Sequence, residues 1–267
     1  MELDERLALA HGPGTPATTL IDLAADPSSQ VRAAVAARPD APAQALRPLT
    51  RDNDRDVREA VARNPSTSQG NLLRLVADAD RWVRWAVAGN PGCDEQVRRA
   101  MASTADKELR GLLAEMPELE PDLAEALLDD RSPEVRERLA THTRDPAVIT
   151  ALLADRTVRV RKGLALNQRT TAEHRHALAV DTAVDVRSAL VRAVDLDEAD
   201  LWMLANDRSA EVRRALATST RTPAQIREAL EDDADETVAA EARRVRQVPA
   251  ARPGRRGLNR FVTGPGR

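Results

Sequence analysis

Apolar and small residues recur along the chain with the spacing of a helical face. In the segment VRAAVAA, which begins at Val31, two valines lie four residues apart with alanines between them, and the segment VREAVAR from Val57 repeats this arrangement. Residues four apart lie on one face of an α-helix. The pattern therefore predicts short helices that each bury a narrow apolar stripe.

The pair formed by Val, or once Leu, and a following Arg returns at a fixed interval, and we term its apolar member the anchor. Consecutive anchors lie 26 residues apart, except for a step of 25 between Val135 and Val160. A period in the range of about 20 to 50 residues is typical of proteins built from stacked repeats. The anchors are Val31, Val57, Val83, Leu109, Val135, Val160, Val186, Val212 and Val238.

Each repeat is expected to form two short helices. The first helix begins after a Ser or Asp, as at Asp54, whose side chain can accept a hydrogen bond from the first turn. It ends before a proline such as Pro65, as helices commonly do. The second helix carries apolar residues such as Leu72 and Leu75, and its short length is compatible with an α-helix or a 3₁₀-helix.

These repeats predict an all-α solenoid. No single repeat can bury its apolar face, so each repeat stacks on its neighbours and the array grows in one dimension. We assign residues 1–244 to about ten such repeats, with residues 1–25 as an N-terminal cap or half repeat. The last anchor, Val238, is followed by Ala239 instead of Arg, and Glu241 replaces an alanine, as expected for a polar cap.

An aspartate precedes most anchors by five residues. We interpret this row as structural, with each carboxylate hydrogen-bonded to an arginine and fixing the register between repeats. The alternative is a row of acid–base or ligand groups, but catalysis needs one special arrangement and not many similar ones. Such pairs contribute little to stability where they are exposed. The aspartates are Asp26, Asp52, Asp78, Asp130, Asp155, Asp181, Asp207 and Asp233, with Thr104 in the remaining repeat.

The repeat resembles that of a known family. The segment DNDRDVREAVARNPSTSQGNLLRLVAD, residues 52–78, is similar to the unit of the leucine-rich repeat variant family, and the resemblance extends from residue 6 to about residue 242. The resemblance implies a right-handed superhelix of alternating α-helices and 3₁₀-helices. It also implies that the protein binds a partner and does not catalyse a reaction. Some members carry a cysteine-rich iron–sulphur segment before the repeats. Because this chain has one cysteine and no such segment, no cluster is implied.

Two tryptophans interrupt the repeat in a chain that is only 1% aromatic. Trp82 and Trp85 occupy positions at which the sister repeats hold mostly polar residues, so we expect both to be exposed, and three residues apart they share one helix face. With Arg81 and Arg84 beside them they have the composition of a binding hot spot. The alternative is local packing under the loop NPGCDEQ. Trp202, on a second helix, is a further candidate contact.

Little in the sequence points to catalysis, a metal or a cofactor. The histidines lack metal-ligand spacing, and neither a glycine-rich phosphate loop nor a nucleophile motif is present. The lone Cys93 excludes an internal disulfide and suits a reducing compartment. The first ten residues, MELDERLALA, do not form a signal peptide, and no apolar run is long enough for a membrane span. We therefore expect a cytoplasmic protein without enzymatic activity.

The C-terminal segment, residues 245–267, differs in composition and is predicted to be a basic, disordered tail rich in Pro, Gly and Arg. From residue 242 onward the chain has eight arginines and no acidic residue, which leaves a charge of −11 on the rest of a chain of net charge −3. The tail could dock on its own solenoid, bind nucleic acid or an acidic partner, serve as a short motif, or act only as a solubilising segment. The residues of that motif are Arg255, Arg256, Leu258 and Phe261.

The function that the sequence favours is a non-enzymatic scaffold that binds a protein or peptide partner on its extended surface, with Trp82 and Trp85 as the anchor. The alternative is a nucleic-acid-binding repeat protein that uses the basic tail. Nucleic-acid affinity depends mainly on neutralising phosphates, and the acidic repeats oppose it. A basic stripe along one face would favour that alternative.

Overall fold

The computed structural model describes residues 1–116 and 118–246 of the chain. These residues form nineteen α-helices and no β-strand, as an all-α solenoid requires. The chain divides into two compact units, Met1–Asp197 and Glu198–Arg267. The proposed tail, residues 245–267, lies outside the described residues apart from the end of the last helix, which closes at Arg246.

The first unit contains fifteen helices, which alternate between the first and second helices of successive repeats. Its first helices are α1 (Leu3–His11), α3 (Ser29–Ala36), α5 (Arg55–Arg63), α7 (Arg81–Ala88), α9 (Lys107–Ala114), α11 (Pro133–His142), α13 (Val158–Ala165) and α15 (Val184–Ala193). Its second helices are α2 (Ala17–Leu23), α4 (Ala43–Leu49), α6 (Gln69–Val76), α8 (Glu95–Ala102), α10 (Pro121–Leu128), α12 (Pro146–Leu152) and α14 (Ala172–Ala179).

The second unit contains the remaining four helices. They are α16 (Glu198–Ala205), α17 (Ala210–Thr218), α18 (Ala224–Leu230) and α19 (Glu236–Arg246).

Within the first unit the first helices pack side by side from α1 to α15, each against the next first helix. The anchors are buried between them, with Val31, Val57 and Val83 fully inaccessible to solvent. Small residues allow this close approach. A Cβ atom added to Gly163 would lie 3.0 Å from the hydroxyl of Thr141 on the neighbouring helix α11. The second unit repeats the arrangement, since α17 packs on α19 and α16 on α18.

The second helices are α-helices of seven or eight residues, and the 3₁₀ form that the sequence left open and the family resemblance implied is not adopted. The hydrogen bond from the amide of Leu46 to the carbonyl of Pro42, at 3.2 Å, has the i to i−4 spacing of an α-turn. Leu46 and Leu49 are both buried, so an α-helical turn brings these two residues to the same face.

The predicted ladder of Asp and Arg is present, and it ties each repeat to the next. Arg32 donates from Nε and Nη2 to the two carboxylate oxygens of Asp52 at 2.6 and 2.8 Å, and from Nη1 to the carbonyl of Asp26 at 2.8 Å. Asp52 also accepts a hydrogen bond from the amide of Asp54 at 2.9 Å. The matching ion pairs are Arg6–Asp26, Arg32–Asp52, Arg58–Asp78, Arg110–Asp130, Arg136–Asp155, Arg161–Asp181 and Arg213–Asp233.

The ladder differs from an ordinary row of surface ion pairs in its burial. The side chains of Arg110 and Asp130 expose only 7% and 5% of their surface. An exposed pair contributes little, whereas removing one partner from a buried pair leaves an uncompensated charge. These pairs therefore contribute to stability as well as to register.

A second ladder, which was not predicted from the sequence, runs through buried asparagines seven residues after the anchor. Asn90 donates from Nδ2 to the carbonyls of Ala62 at 2.7 Å and Asn64 at 2.8 Å in the preceding repeat, and its Oδ1 accepts from the amide of Gly92. Asn64 makes the same bonds to its own preceding repeat. In an earlier repeat Arg38 takes this place and donates to two carbonyls near the end of α1.

Candidate partner-binding site

Helix α7 carries the two tryptophans on the side that faces away from the core. Asp80 caps the helix, and its carboxylate accepts a hydrogen bond from the amide of Trp82 at 2.8 Å. The anchor Val83 and Val87, four residues later, are fully buried. Because the buried stripe takes these positions, the rings of Trp82 and Trp85 are left on the outer part of the helix.

The two indole rings and one arginine form a compact cluster. The ring centroids of Trp82 and Trp85 are 4.9 Å apart and the ring planes meet at 76°, which is an edge-to-face arrangement. The guanidinium carbon of Arg81 lies 5.1 Å from the centroid of Trp82 and 5.5 Å from that of Trp85. Both distances are typical of cation–π contacts. We refer to Arg81, Trp82 and Trp85 as the tryptophan surface.

The two tryptophans differ in burial, and the expectation that both are exposed is wrong for Trp85. Trp82 exposes 44% of its surface, whereas Trp85 is half-buried and its indole Nε1 is inaccessible, with no hydrogen-bond acceptor among the described residues. Glu59 and Glu137, the counterparts of Trp85, are half-buried as well. Long polar side chains can lie along a half-buried site and keep their charge in water, so their presence did not signal full exposure.

Arg84, predicted to belong to the same patch, has a different role. Its Nε and Nη2 donate to Asp106 at 2.8 and 2.6 Å, and its Nη1 donates to the carbonyl of Asp78 at 2.7 Å. Arg84 is therefore a member of the Asp–Arg ladder. Asp106 acts as its partner because Thr104 occupies the usual aspartate position in that repeat.

Ion pairs occupy the corresponding surface of later repeats. Arg138 on α11 binds Glu108 on α9 at 2.7 Å, and Arg159 on α13 binds Glu137 on α11. Gly111, which stands where α7 has Trp85, makes room for Arg138, since an added Cβ would lie 2.8 Å from its Nη1. At α7 the tryptophan surface replaces this charged pattern.

Carboxylates lie on both neighbouring helices. Asp56 and Glu59 on α5, and Glu108 on α9, occupy the positions equivalent to those of the two tryptophans. A groove of about 450 Å³ on α5 is lined by Asp56 and Glu59 together with Arg63. The tryptophan surface is thus an apolar area with acidic neighbours.

Comparison with known proteins identifies the repeat. The sequence model of the leucine rich repeat variant family matches residues 30–54 and 55–80, two consecutive repeats that include α3 to α6. The solved structure described as a leucine-rich repeat variant with a novel repetitive protein structural motif is 29% identical to this chain with a TM-score of 0.54, over 74% of this chain and 79% of that one. Residues 30–80 therefore contain two leucine-rich repeat variant repeats. The resemblance seen in the sequence is confirmed.

Other solved structures are less similar to this chain. An engineered protein is 14% identical with a TM-score of 0.30, over 90% of this chain and 92% of that one. A computationally designed armadillo repeat protein for modular peptide recognition is 17% identical with a TM-score of 0.15, over 90% of this chain and 88% of that one. Likenesses this low carry no argument about function. A comparison with curated proteins finds no significant match.

Trp202 lies in the second unit of the chain, on α16. It exposes 37% of its surface beside Met203, which exposes 36%. The side-chain Nδ2 of Asn206 donates to the carbonyl of Trp202 at 2.9 Å. The role of Trp202 as a contact stays a prediction. The tail motif of Arg255, Arg256, Leu258 and Phe261 lies outside the described residues and stays a prediction too.

The histidine and cysteine that the fold buries have structural partners. His174 accepts a hydrogen bond at Nδ1 from the amide of Thr171 and lies 3.1 Å through Nε2 from the hydroxyl of Thr150. Burial raises the pKa of the Cys93 thiol to about 11, and the thiol donates to the carbonyl of Val87 at 3.1 Å. In the described ranges no three His, Cys, Asp or Glu side chains are grouped as a metal ion needs. No helix there is long and apolar enough to cross a bilayer.

Proposed function

We propose that this chain is a non-enzymatic scaffold and that it binds a protein or peptide partner through the tryptophan surface. The observation that carries the proposal is the exposure of Trp82 at a position that the other repeats fill with polar, mostly charged, residues. Folding does not require a tryptophan there, because the sister helices form with Asp56, Glu108 or Glu134. An exposed indole that the fold does not need is the typical centre of a protein interface.

The cluster also has the geometry that favours tight contact. The edge-to-face packing of the two rings and the stacking of Arg81 hold the side chains in place before a partner arrives. A partner therefore spends less free energy on ordering these groups. Burying the remaining exposed part of Trp82 then adds apolar contact area.

The surrounding charge indicates which partner fits. The carboxylates of Asp56, Glu59 and Glu108 flank the tryptophans on two sides. These carboxylates already pair with arginines of the chain, namely Arg55, Arg63 and Arg138. A segment with an apolar side chain between basic residues would place the apolar group against Trp82, and its charges would compete with these surface pairs. Complementary charge of this kind accelerates association and selects against acidic partners.

The experiment is an affinity capture from cells of the source organism with three baits: the wild-type chain, Trp82→Glu and Trp202→Glu. Both substitutions introduce a residue that sister repeats hold at the same position, Glu108 and Glu134 for Trp82 and Glu125 and Glu228 for Trp202. Captured proteins are identified and their direct binding is measured with purified components. A fourth bait that ends at residue 246 measures the contribution of the tail.

We expect a partner that the wild-type bait captures, that the Trp202→Glu bait captures less strongly because a second contact is lost, and that the Trp82→Glu bait loses. Equal capture by the Trp82→Glu bait contradicts a binding role for the tryptophan surface. Capture that depends only on residues after 246 assigns the binding to the tail and leaves the repeats as a carrier.

The nucleic-acid alternative requires a continuous basic stripe, and the charge pattern of the second helices does not favour one. Arg47 and Arg51 in one repeat correspond to Glu125 and Asp129 in another. A phosphate backbone that followed this face would meet carboxylates within a few repeats. Only the tail, which lies outside the described residues, offers an unbroken run without acidic residues.

A further inference from the structure

Two neighbouring pairs of second helices in the first unit, α4 with α6 and α12 with α14, make little contact, and the first of these gaps contains a groove. Helix α2 packs on α4, and α6 packs closely on α8, whereas α4 and α6 make little contact with each other. The opening is a groove of about 410 Å³. Its lining residues are Arg47, Pro48, Arg51, Gly70, Asn71 and Arg74, and we term this the arginine groove.

The three arginines of the groove are unpaired. Arg47, Arg51 and Arg74 are exposed, and within the described ranges their guanidinium groups make no ion pair and no hydrogen bond. The equivalent of Arg47 two repeats later, Arg99, binds both Glu95 and Asp122. Counter-charges are thus supplied at this position elsewhere in the chain and are missing in the groove.

This placement has a cost for the folded chain. Arg47 lies in the last turn of α4 and Arg51 follows that helix by two residues, so two like charges are held near each other at the C-terminal end of α4. The helix dipole favours a cation near a helix C-terminus, which helps Arg47 on α4 and Arg74 on α6 separately. The dipole gives no reason for three cations to line one groove.

Gly70 keeps the groove open. A Cβ atom added to Gly70 would meet no other atom within 4 Å, so the space above this residue is empty. The sister repeats place Gln44 and Gln96 at the same position of the second helix. A glutamine side chain on α6 would reach into the space that the arginines surround.

The arginine groove adjoins a wider hollow of about 690 Å³, which shares Arg51, Gly70 and Arg74 with it and adds the apolar residues Leu73 and Ala77. Asp52 and Asp78 also line this hollow, but their carboxylates pair with Arg32 and Arg58. The arginines of the groove therefore keep their charge unpaired, and the apolar side chains beside them can contact the organic part of a ligand.

We propose that the arginine groove binds a phosphate monoester. Such a group carries a charge of about −1.5 to −2 at neutral pH and three acceptor oxygens, which three guanidinium groups can neutralise and hydrogen-bond together. The amide of Asn71 supplies a further donor at the rim. A single carboxylate would leave two of the three cations uncompensated. The monoester belongs to a phosphorylated side chain of a partner or to a free phosphorylated metabolite.

The test observes the arginine side chains directly. The full chain, labelled with ¹⁵N, is titrated with inorganic phosphate, with a phosphoserine peptide, with the same peptide unphosphorylated, and with a single-stranded oligonucleotide, and the Nε–Hε resonances are followed by NMR. Variants Arg47→Gln, Arg51→Gln and Arg74→Gln assign the resonances. The control is Arg156→Gln, since Arg156 is an exposed arginine of the same unit outside the groove.

We expect saturable shifts of the Arg47, Arg51 and Arg74 resonances with phosphate and with the phosphoserine peptide, and none with the unphosphorylated peptide. Each groove variant should raise the Kd by about tenfold, as loss of one charge-assisted hydrogen bond predicts, and Arg156→Gln should leave it unchanged. Binding of phosphate without binding of the peptide assigns the site to a free metabolite. Equal Kd values for groove and control variants, or tighter binding of the oligonucleotide, would overturn the proposal.

Gly70→Gln provides a second test that is independent of the arginine charges. Glutamine favours the helix more than glycine does, so this variant should be at least as stable as the wild type. It should also raise the Kd for phosphate by about tenfold or more, because its side chain occupies the binding space. A Gly70→Gln chain that binds phosphate as tightly as the wild type contradicts the proposed position of the ligand.

Discussion

Arg110 on α9 and Asp130 in the loop before α11 form a two-point ion pair, with Nε to Oδ2 at 2.5 Å and Nη2 to Oδ1 at 3.1 Å. Arg110 also donates to the carbonyl of Thr104 in its own repeat at 2.8 Å, and Asp130 accepts from the amide of Ser132. One buried arginine thus holds the loops of two successive repeats. The same linkage recurs along the first unit and makes the stacking of repeats cooperative.

Removing the carboxylate of Asp130 should destabilise the chain strongly. In Asp130→Ala the guanidinium of Arg110 stays buried without a counter-charge, which costs about 3–5 kcal/mol by comparison with other buried pairs. Glu108→Ala is the matched control, because it removes the partly exposed pair with Arg138 and should cost less than about 1 kcal/mol. Urea unfolding followed by circular dichroism measures both, and similar losses in the two variants would contradict the structural role of the ladder.

The ladder should make the chain sensitive to acid. Burial alone raises the pKa of Asp130, but hydrogen bonds from Arg110 and from the backbone of Ser132 outweigh it and hold the pKa below its ordinary value. The pKa values of Asp52 and Asp181 are lowered by the same balance. A carboxyl with a lowered pKa stabilises the fold fully above the ordinary value of about 3.9, and this contribution disappears as the pH falls through the folded-state pKa.

We therefore expect the free energy of unfolding to change little from these groups above about pH 5 and to fall steeply below about pH 4. Urea denaturation across this range is the measurement. Asp130→Asn should show a shallower fall, since one of the titrating groups is gone. A wild-type stability that is constant down to about pH 3 would show that these carboxylates are not linked to folding.

The asparagine ladder predicts a second class of destabilising change. Asn90→Ala leaves the buried carbonyls of Ala62 and Asn64 without their side-chain donor, so we expect a loss of about 1–3 kcal/mol. Asn53→Ala, at an exposed loop position, should change stability by less than about 0.5 kcal/mol. Chemical denaturation measures the free energy of unfolding of both variants. A loss of stability in Asn90→Ala no larger than that in Asn53→Ala would contradict the structural role of the asparagine ladder.

Cys93 should behave as a buried structural thiol. With its pKa raised to about 11 by burial, and with little solvent access, it should resist iodoacetamide in the native chain at pH 8 and react at once in urea. Because the unfolded thiol has the lower pKa, the contribution of Cys93 to stability should be full below about pH 8 and decrease as the pH rises toward 11.

The substitution Cys93→Thr provides the stability test. Thr67, at the same position of the preceding repeat, donates to the carbonyl of Val61 as Cys93 donates to Val87. Cys93→Thr should therefore change the free energy of unfolding by less than about 1 kcal/mol. Rapid labelling of the native thiol, or a large loss of stability in this variant, would contradict the environment described for Cys93.

The repeat period, the helix pairs and the Asp–Arg pairing could be predicted from the sequence because each rests on a residue that returns every 26 positions. The asparagine ladder carried the same signal in Asn64, Asn90 and Asn167, but the neighbouring prolines were interpreted only as helix stops. The half-burial of Trp85 could not be predicted, because charged residues at the same position tolerate half-buried sites.

The arginine groove could not be predicted from the sequence either. Arg47, Arg51 and Arg74 are unremarkable in a chain with 40 basic residues. Their significance depends on two features of the three-dimensional structure, the separation of α4 from α6 and the pairing of the nearby carboxylates, Asp52 and Asp78, with other arginines. Helix spacing of this kind is decided by the packing of side chains across several repeats.

A role of the tryptophan surface in binding is decided by the Kd of the purified captured partner for wild-type, Trp82→Glu and Trp202→Glu chains, taken after urea unfolding has shown that all three are folded. We expect Trp82→Glu to raise the Kd about a hundredfold, as the loss of a central tryptophan contact of roughly 3 kcal/mol implies, and Trp202→Glu, at the predicted second contact, to raise it by about tenfold or less. A Trp82→Glu chain that folds and binds with wild-type affinity would contradict the assignment of the tryptophan surface as the binding site.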